Sequence, residues 1–87
     1  MKLIIAILKD DDIDNVVPPL MADNFRVTRV ASTGGFFRKG STTLLIGVDD
    51  ERVDIAIQVL RDKTTAPAGD EKRAIVFVVP VSRFEQI

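Results

Sequence analysis

Apolar residues run unbroken from Leu3 to Leu8, closed by Lys2 and Lys9 and followed by Asp10, Asp11 and Asp12. A run this short and this apolar reads as a strand buried on both faces, KLIIAILK over 2–9. The period then changes. Within DDDIDNVVPPLMADN, over 10–24, Ile13, Val16, Val17, Leu20 and Met21 recur at the spacing of an amphipathic helix. The acidic run suits its N-terminus, where carboxylates cap free N–H groups and meet the dipole favourably. Pro18 and Pro19 conflict with it, because a mid-helix proline loses a hydrogen bond and clashes with the preceding turn. Two arrangements are open: a helix kinked at the prolines, which we expect, or one capped by Asn15 with both prolines in its first turn. FRVTRVAST, over 25–33, alternates polar with apolar and reads as a second strand. Gly34, Gly35 and Gly40 mark a loop, and TTLLIGVD, over 42–49, reads as a third strand antiparallel to the second. DERVDIAIQVLRDK, over 50–63, predicts a helix with Val53, Ala56, Ile57 and Leu60 on one face and Asp49 or Asp50 as N-cap. A short polar connection leads to a last strand, KRAIVFVVPVSRF over 72–84, with Pro80 near its end.

The order β-α-β-β-α-β is that of the ferredoxin-like split motif. The expected fold is therefore an α+β sandwich, one domain over 1–87: a four-stranded antiparallel sheet with two helices on one face. The helix-free face should then be polar, and it is not. Leu3, Ile5 and Ile7 alternate with Ile4, Ala6 and Leu8; Ile75, Phe77 and Val79 alternate with Val76 and Val78. Both faces are apolar on three strands of four. So much apolar surface needs a cover, and another subunit of a closed symmetric homo-oligomer is the economical one.

Composition narrows the function. The 87 residues include no cysteine, which excludes a disulfide framework and thiol chemistry, and no histidine, which removes the commonest general base and metal ligand. Twelve basic and 13 acidic residues give a net charge of -1, so there is no global pull toward nucleic acid or an anionic membrane. Leu3 to Leu8 is far short of the ~20 residues of a membrane helix and has no cleavage site after it. The Asp10–Asp12 run lacks the Ca²⁺-loop pattern and reads as a solvated cap. We expect a cytoplasmic protein with no cofactor or metal, one that binds rather than catalyses.

The segment from Phe25 to Gly47 concentrates the groups a phosphate-bearing nucleotide would use. Arg26 and Thr28 share one face of the second strand, and Gly34, Gly35, Phe36, Phe37, Arg38, Lys39 and Ser41 cluster in and beside the loop. Glycines let backbone N–H groups approach an anion, arginine and hydroxyls bond phosphate oxygens, and a phenylalanine can stack on a base. Each feature also has a plainer use. Paired glycines commonly serve a positive φ in a turn, Arg38-Lys39 is more often a solvated tip, and Gly47 can mark a bulge. Two adjacent phenylalanines in a glycine-bounded loop are harder to explain as core.

NFRVTRVASTGGFFRKGSTTLLIGVDDERVD, with MKLIIAILKDDD before it and VFVVPVSRFEQI at the end, resembles the PII-like cyclic di-AMP receptor family. The family is related to the nitrogen regulatory PII proteins. The resemblance implies a small cytoplasmic signal-transduction protein, a homotrimer of ferredoxin-like subunits with ligand in the clefts between them. It also implies a pocket lined by Asn24, Arg26 and Thr28 from the second strand and by Gly35, Phe36 and Phe37 from the loop. Phe36 would lie near an adenine, Gly47 would give a backbone contact, and Gln86 would contribute from the interface. Two features depart from the family pattern. Ser41 stands where the family typically has an asparagine able to pair with an adenine edge, and the connection at about 63–72 is much shorter than the family's long loop.

Three functions follow. The first is a trimeric sensor of cyclic di-AMP or a related adenine nucleotide, signalling to a protein the sequence does not name. The second is a PII-like structural or protein-interaction module whose nucleotide site is altered or lost; binding beside Arg26 and Phe36 separates these two. The third is an acylphosphatase-like enzyme, whose loop signature is absent and which an acyl-phosphate assay would detect.

Overall fold

The structure, a computed structural model, describes residues 1–30, 40–65 and 73–87. The elements are β1 (Lys2–Lys9), α1 (Asp10–Ala22), β2 (Arg26–Val30), β3 (Ser41–Val48), a 3₁₀ turn (Asp50–Arg52), α2 (Val53–Lys63) and β4 (Ala74–Pro80). The strands form one antiparallel sheet in the order β2-β3-β1-β4, so the chain has the expected β-α-β-β-α-β fold. None of the helices described is long and apolar enough to cross a membrane.

The alternation of buried positions explains the layers. Ile4, Ala6 and Leu8 of β1 and Leu44, Ile46 and Val48 of β3 are buried against Ile13, Val16 and Leu20 of α1 and Ala56 and Leu60 of α2. Because side chains alternate across a strand, the residues between them face the other way. Leu3, Ile5, Ile7 and Leu45 are half-buried there, whereas Ile75 and Phe77 at the β4 side are 37% and 48% exposed. The apolar helix-free face is thus a feature of the folded subunit.

Several element boundaries differ from expectation. Helix α1 begins at Asp10 and runs through Pro18 and Pro19, which rules out Asn15 as its N-cap. The prolines cannot donate to the carbonyls of Asp14 and Asn15, but both residues are exposed and water can serve them. Met21, expected on the apolar face, is 61% exposed. The second helix is preceded by a 3₁₀ turn rather than starting at Asp50, and the side chains of Asp49 and Asp50 cap nothing. Instead, the Asp50 carboxylate lies 3.0 Å from the amino-terminal nitrogen and 3.7 Å from Lys2 Nζ. Strand β4 is shorter than expected and ends at Pro80.

The acidic run at the start of α1 joins distant parts of the chain. Asp10 N donates to the Gly40 carbonyl at 2.7 Å, and Thr42 Oγ1 donates to the Asp10 carboxylate. Asp12 is 1% exposed, and its Oδ1 accepts from Thr65 N at 3.0 Å and Thr65 Oγ1 at 2.6 Å. The same turn therefore holds the start of β3 and the exit from α2.

Candidate functional site

Helix α1 ends in a turn that delivers three residues to one end of the sheet. Phe25 N donates to the Leu20 carbonyl and Asn24 N to the Met21 carbonyl, the paired bonds of a Schellman motif. Asn24 takes the left-handed position, φ 65°, which asparagine tolerates better than most residues. Phe25 then drops into the core beside Leu20, both nearly unexposed. This places Arg26 at the first position of β2, on the strand face opposite to Phe25.

Arg26 pairs in register with Gly47 of β3, and Gly47 pairs in turn with Leu3 of β1. The ladder runs through Gly47 unbroken, so it does not mark a bulge. Among the described residues, a Cβ at this position would meet only Met1 Cε, at 3.4 Å. The glycine thus leaves an opening beside Arg26, floored by backbone.

A cavity of about 270 Å³ occupies this end of the sheet, lined by Met1, Asn24, Phe25, Arg26, Gly47, Val48, Asp49, Arg52 and Phe84. Two guanidinium groups border it. Arg52 lies 4.2 Å over the Phe25 ring and donates to the Asp23 carbonyl at 2.8 Å, with the Asp23 carboxylate at 3.3 Å. Stacking and these bonds hold it in place. Arg26 lies 6.0 Å from the centroid of Phe84, which comes from the chain beyond β4. The amino terminus closes the floor: Asp50 draws the terminal ammonium in, and Val81 N donates to the Met1 carbonyl at 3.1 Å. The ammonium hydrogen bond holds the Asp50 carboxyl below its ordinary 3.8, with Lys2 adding to the effect and desolvation opposing it. Two guanidinium groups and an aromatic ring around an open hollow suit an anionic ligand with a planar group.

Of the residues singled out in the sequence, the structure brings Asn24, Arg26 and Gly47 together here. Thr28 sits two residues farther along β2, opposite Leu45 on the Arg26 face, and does not line the cavity. Ser41 pairs with Lys9 at the other end of β3. Gly47 stands six positions farther along β3, about 20 Å away, so the two lie at opposite ends of the strand. Gln86 is exposed, two residues past Phe84, and lies outside the cavity lining. Gly35, Phe36 and Phe37 lie outside the described residues, as do Gly34, Arg38 and Lys39.

Phe25, Arg52 and Phe84 were not singled out from the sequence. Phe25 reads as the first residue of a strand, Arg52 as a charge in the first turn of a helix, and Phe84 as the end of a strand. Their meeting depends on register and on β4 ending at Pro80, neither of which a local pattern carries. A second hollow, about 530 Å³, lies between α2 and β4, lined by Ile57, Leu60, Arg61, Thr64, Arg73, Ala74, Val76 and Val78, and holds none of the predicted site residues.

Comparison with known proteins agrees with the fold. The chain is similar to a crystal structure from Pediococcus pentosaceus ATCC 25745, of a protein described as functionally unknown. Identity is 30%, the match covers 99% of this chain and 96% of that one, and the TM-score is 0.82. A family model described as cyclic-di-AMP receptor matches residues 1–70, a span that includes Asn24, Arg26 and Gly47. The chain therefore belongs to the cyclic-di-AMP receptor family, PII-like proteins with a ligand-binding signalling role.

Proposed function

We propose that this protein is a non-enzymatic sensor, one domain over 1–87, which binds cyclic di-AMP or a related adenine nucleotide in the clefts between subunits of a cytoplasmic homotrimer. It passes the signal to a partner protein. The observation that carries this reading is the pairing of Arg26 with Gly47 at the mouth of the cavity. A guanidinium beside a side-chain-free stretch of backbone suits a phosphate that must approach the sheet closely.

Two further features support it. The helix-free face exposes Ile75 and Phe77 beside Leu3, Ile5, Ile7 and Leu45, and burying it stabilises by ~1.5–3 kcal/mol for each large side chain fully covered. Second, Ser41 and Arg26 stand at opposite ends of the β2–β3 pair. A ligand held in a cleft between copies could meet one end of this pair on each of two neighbours. The absence of histidine and cysteine favours binding over catalysis.

Light scattering combined with a calorimetric screen of cyclic dinucleotides and adenine mononucleotides tests the proposal. The expected mass is three times the 9.6 kDa of one chain, with saturable binding of at least one adenine nucleotide. A monomer at micromolar concentration would overturn the trimer. A trimer that binds no adenine nucleotide would favour the interaction-module reading.

A further inference from the structure

Phe84 stands at the rim of the cavity, outside the sheet. It is 54% exposed, it lines the cavity, and it belongs to residues 81–87, which form no regular element. The stretch is tethered by the bond from Val81 N to the Met1 carbonyl, and its other described hydrogen bond, Arg83 to Glu85 at 2.9 Å, is internal and exposed. A ring held this lightly can shift by an ångström or two at small cost. Facing it is Arg26, whose guanidinium carbon lies 6.0 Å from the ring centroid. The ion pairs among the described residues engage Arg29, Arg52 and Arg83, and none engages Arg26.

The spacing is informative. Two groups in direct stacking contact lie about 3.5–4 Å apart, so Arg26 and Phe84 are too far apart to stack closely on each other. A planar base inserted between them needs two such separations, about 7–8 Å, or 1–2 Å more than the present gap. Both groups favour that arrangement: a phenylalanine stacks on either face of a base, and a guanidinium stacks on an aromatic face. Gly47, opposite Arg26, places no side chain in the way.

We propose that Arg26 and Phe84 form a clamp that takes one adenine base of the ligand between guanidinium and phenyl ring, with Phe84 moving outward to admit it. This rests on the nucleotide-binding reading above and adds a base-selecting residue to it. The clamp recognises an aromatic base and is indifferent to a phosphate carried without one.

The chain has no tryptophan or tyrosine, so Phe84→Trp gives a lone fluorophore at the clamp. Titration calorimetry of the wild-type full chain and of Phe84→Ala and Phe84→Trp with cyclic di-AMP is paired with the emission of Phe84→Trp. Inorganic pyrophosphate serves as the baseless probe. Phe84→Ala is expected to weaken cyclic di-AMP binding about tenfold and leave any pyrophosphate binding unchanged. Phe84→Trp is expected to bind at least as tightly as wild type, with its emission quenched by cyclic di-AMP at the calorimetric midpoint and unmoved by pyrophosphate. If wild type binds cyclic di-AMP and Phe84→Ala binds it equally well, or the tryptophan emission ignores saturating ligand, the clamp is wrong and the sensor stands. If wild type binds no adenine nucleotide, both fall.

Discussion

Arg26 on β2 and Gly47 on β3 are cross-strand partners, so the cross-strand neighbour of this guanidinium is a residue with no side chain. The pairing opens the sheet surface where a cavity already gathers Asn24, Arg52 and Phe84.

Gly47→Ala isolates that opening. The added methyl would meet the end of the flexible Met1 side chain at 3.4 Å, a contact Met1 can relieve by moving. A glycine inside a strand is also entropically costly. The variant is expected to keep or slightly raise the thermal midpoint while weakening nucleotide binding several-fold. Thermal denaturation and calorimetry check the two halves, and unchanged affinity would remove Gly47 from the site.

Ser41→Asn tests one departure from the family pattern. Serine offers a single hydroxyl with a short reach, whereas asparagine offers both a donor and an acceptor to an adenine edge. Tighter cyclic di-AMP binding is expected, by about tenfold for one good additional hydrogen-bonded pair. Equal affinity in the two forms would argue against Ser41 facing a base.

The layers and the apolar open face were legible in the sequence because alternation on β1, β3 and β4 is a local pattern. Helix α1 was legible through its spacing, although its start at Asp10 despite Pro18 and Pro19 was not settled. The freed carbonyls of Asp14 and Asn15 happen to face water, a fact of burial rather than of order along the chain. Arg26 and Gly47 could be named individually, but their partnership could not, since it depends on the register between β2 and β3. Arg52 and Phe84 reach the cavity only through the tertiary fold, 27 residues and 58 residues beyond Phe25 and Arg26 respectively.

Asp12→Ala should destabilise the fold. The buried side chain accepts two hydrogen bonds from Thr65, and leaving a buried donor without its acceptor costs about 1–3 kcal/mol. Asp11→Ala, at an exposed neighbour, is expected to change stability by less than about 0.5 kcal/mol. Urea unfolding compares them. Equal midpoints would show that Asp12 does not tie α2 to α1.

Acid should weaken the end of the sheet near Asp50. Its carboxyl is held below the ordinary value, chiefly by the hydrogen bond from the terminal ammonium. A depressed folded pKa means a contribution fully present above the unfolded value and lost as pH falls through the folded one. The window therefore opens at about pH 4 and extends downward. Asp50→Asn should lower the thermal midpoint slightly at pH 6 and not at pH 2, a small effect because the pair is solvent-exposed. An equal difference at both pH values would contradict this.

Calorimetric titration of wild type and Arg26→Ala with cyclic di-AMP, each first shown to be a trimer, decides whether this guanidinium holds a nucleotide. Loss of a charge-assisted bond of roughly 1.5–3 kcal/mol should weaken binding about tenfold or more. Arg61→Ala, on the far side of the fold beside α2 and β4, should leave it unchanged. Saturable wild-type binding that falls in Arg26→Ala alone is the result predicted; a wild-type trimer that takes up no adenine nucleotide at millimolar ligand would contradict the account.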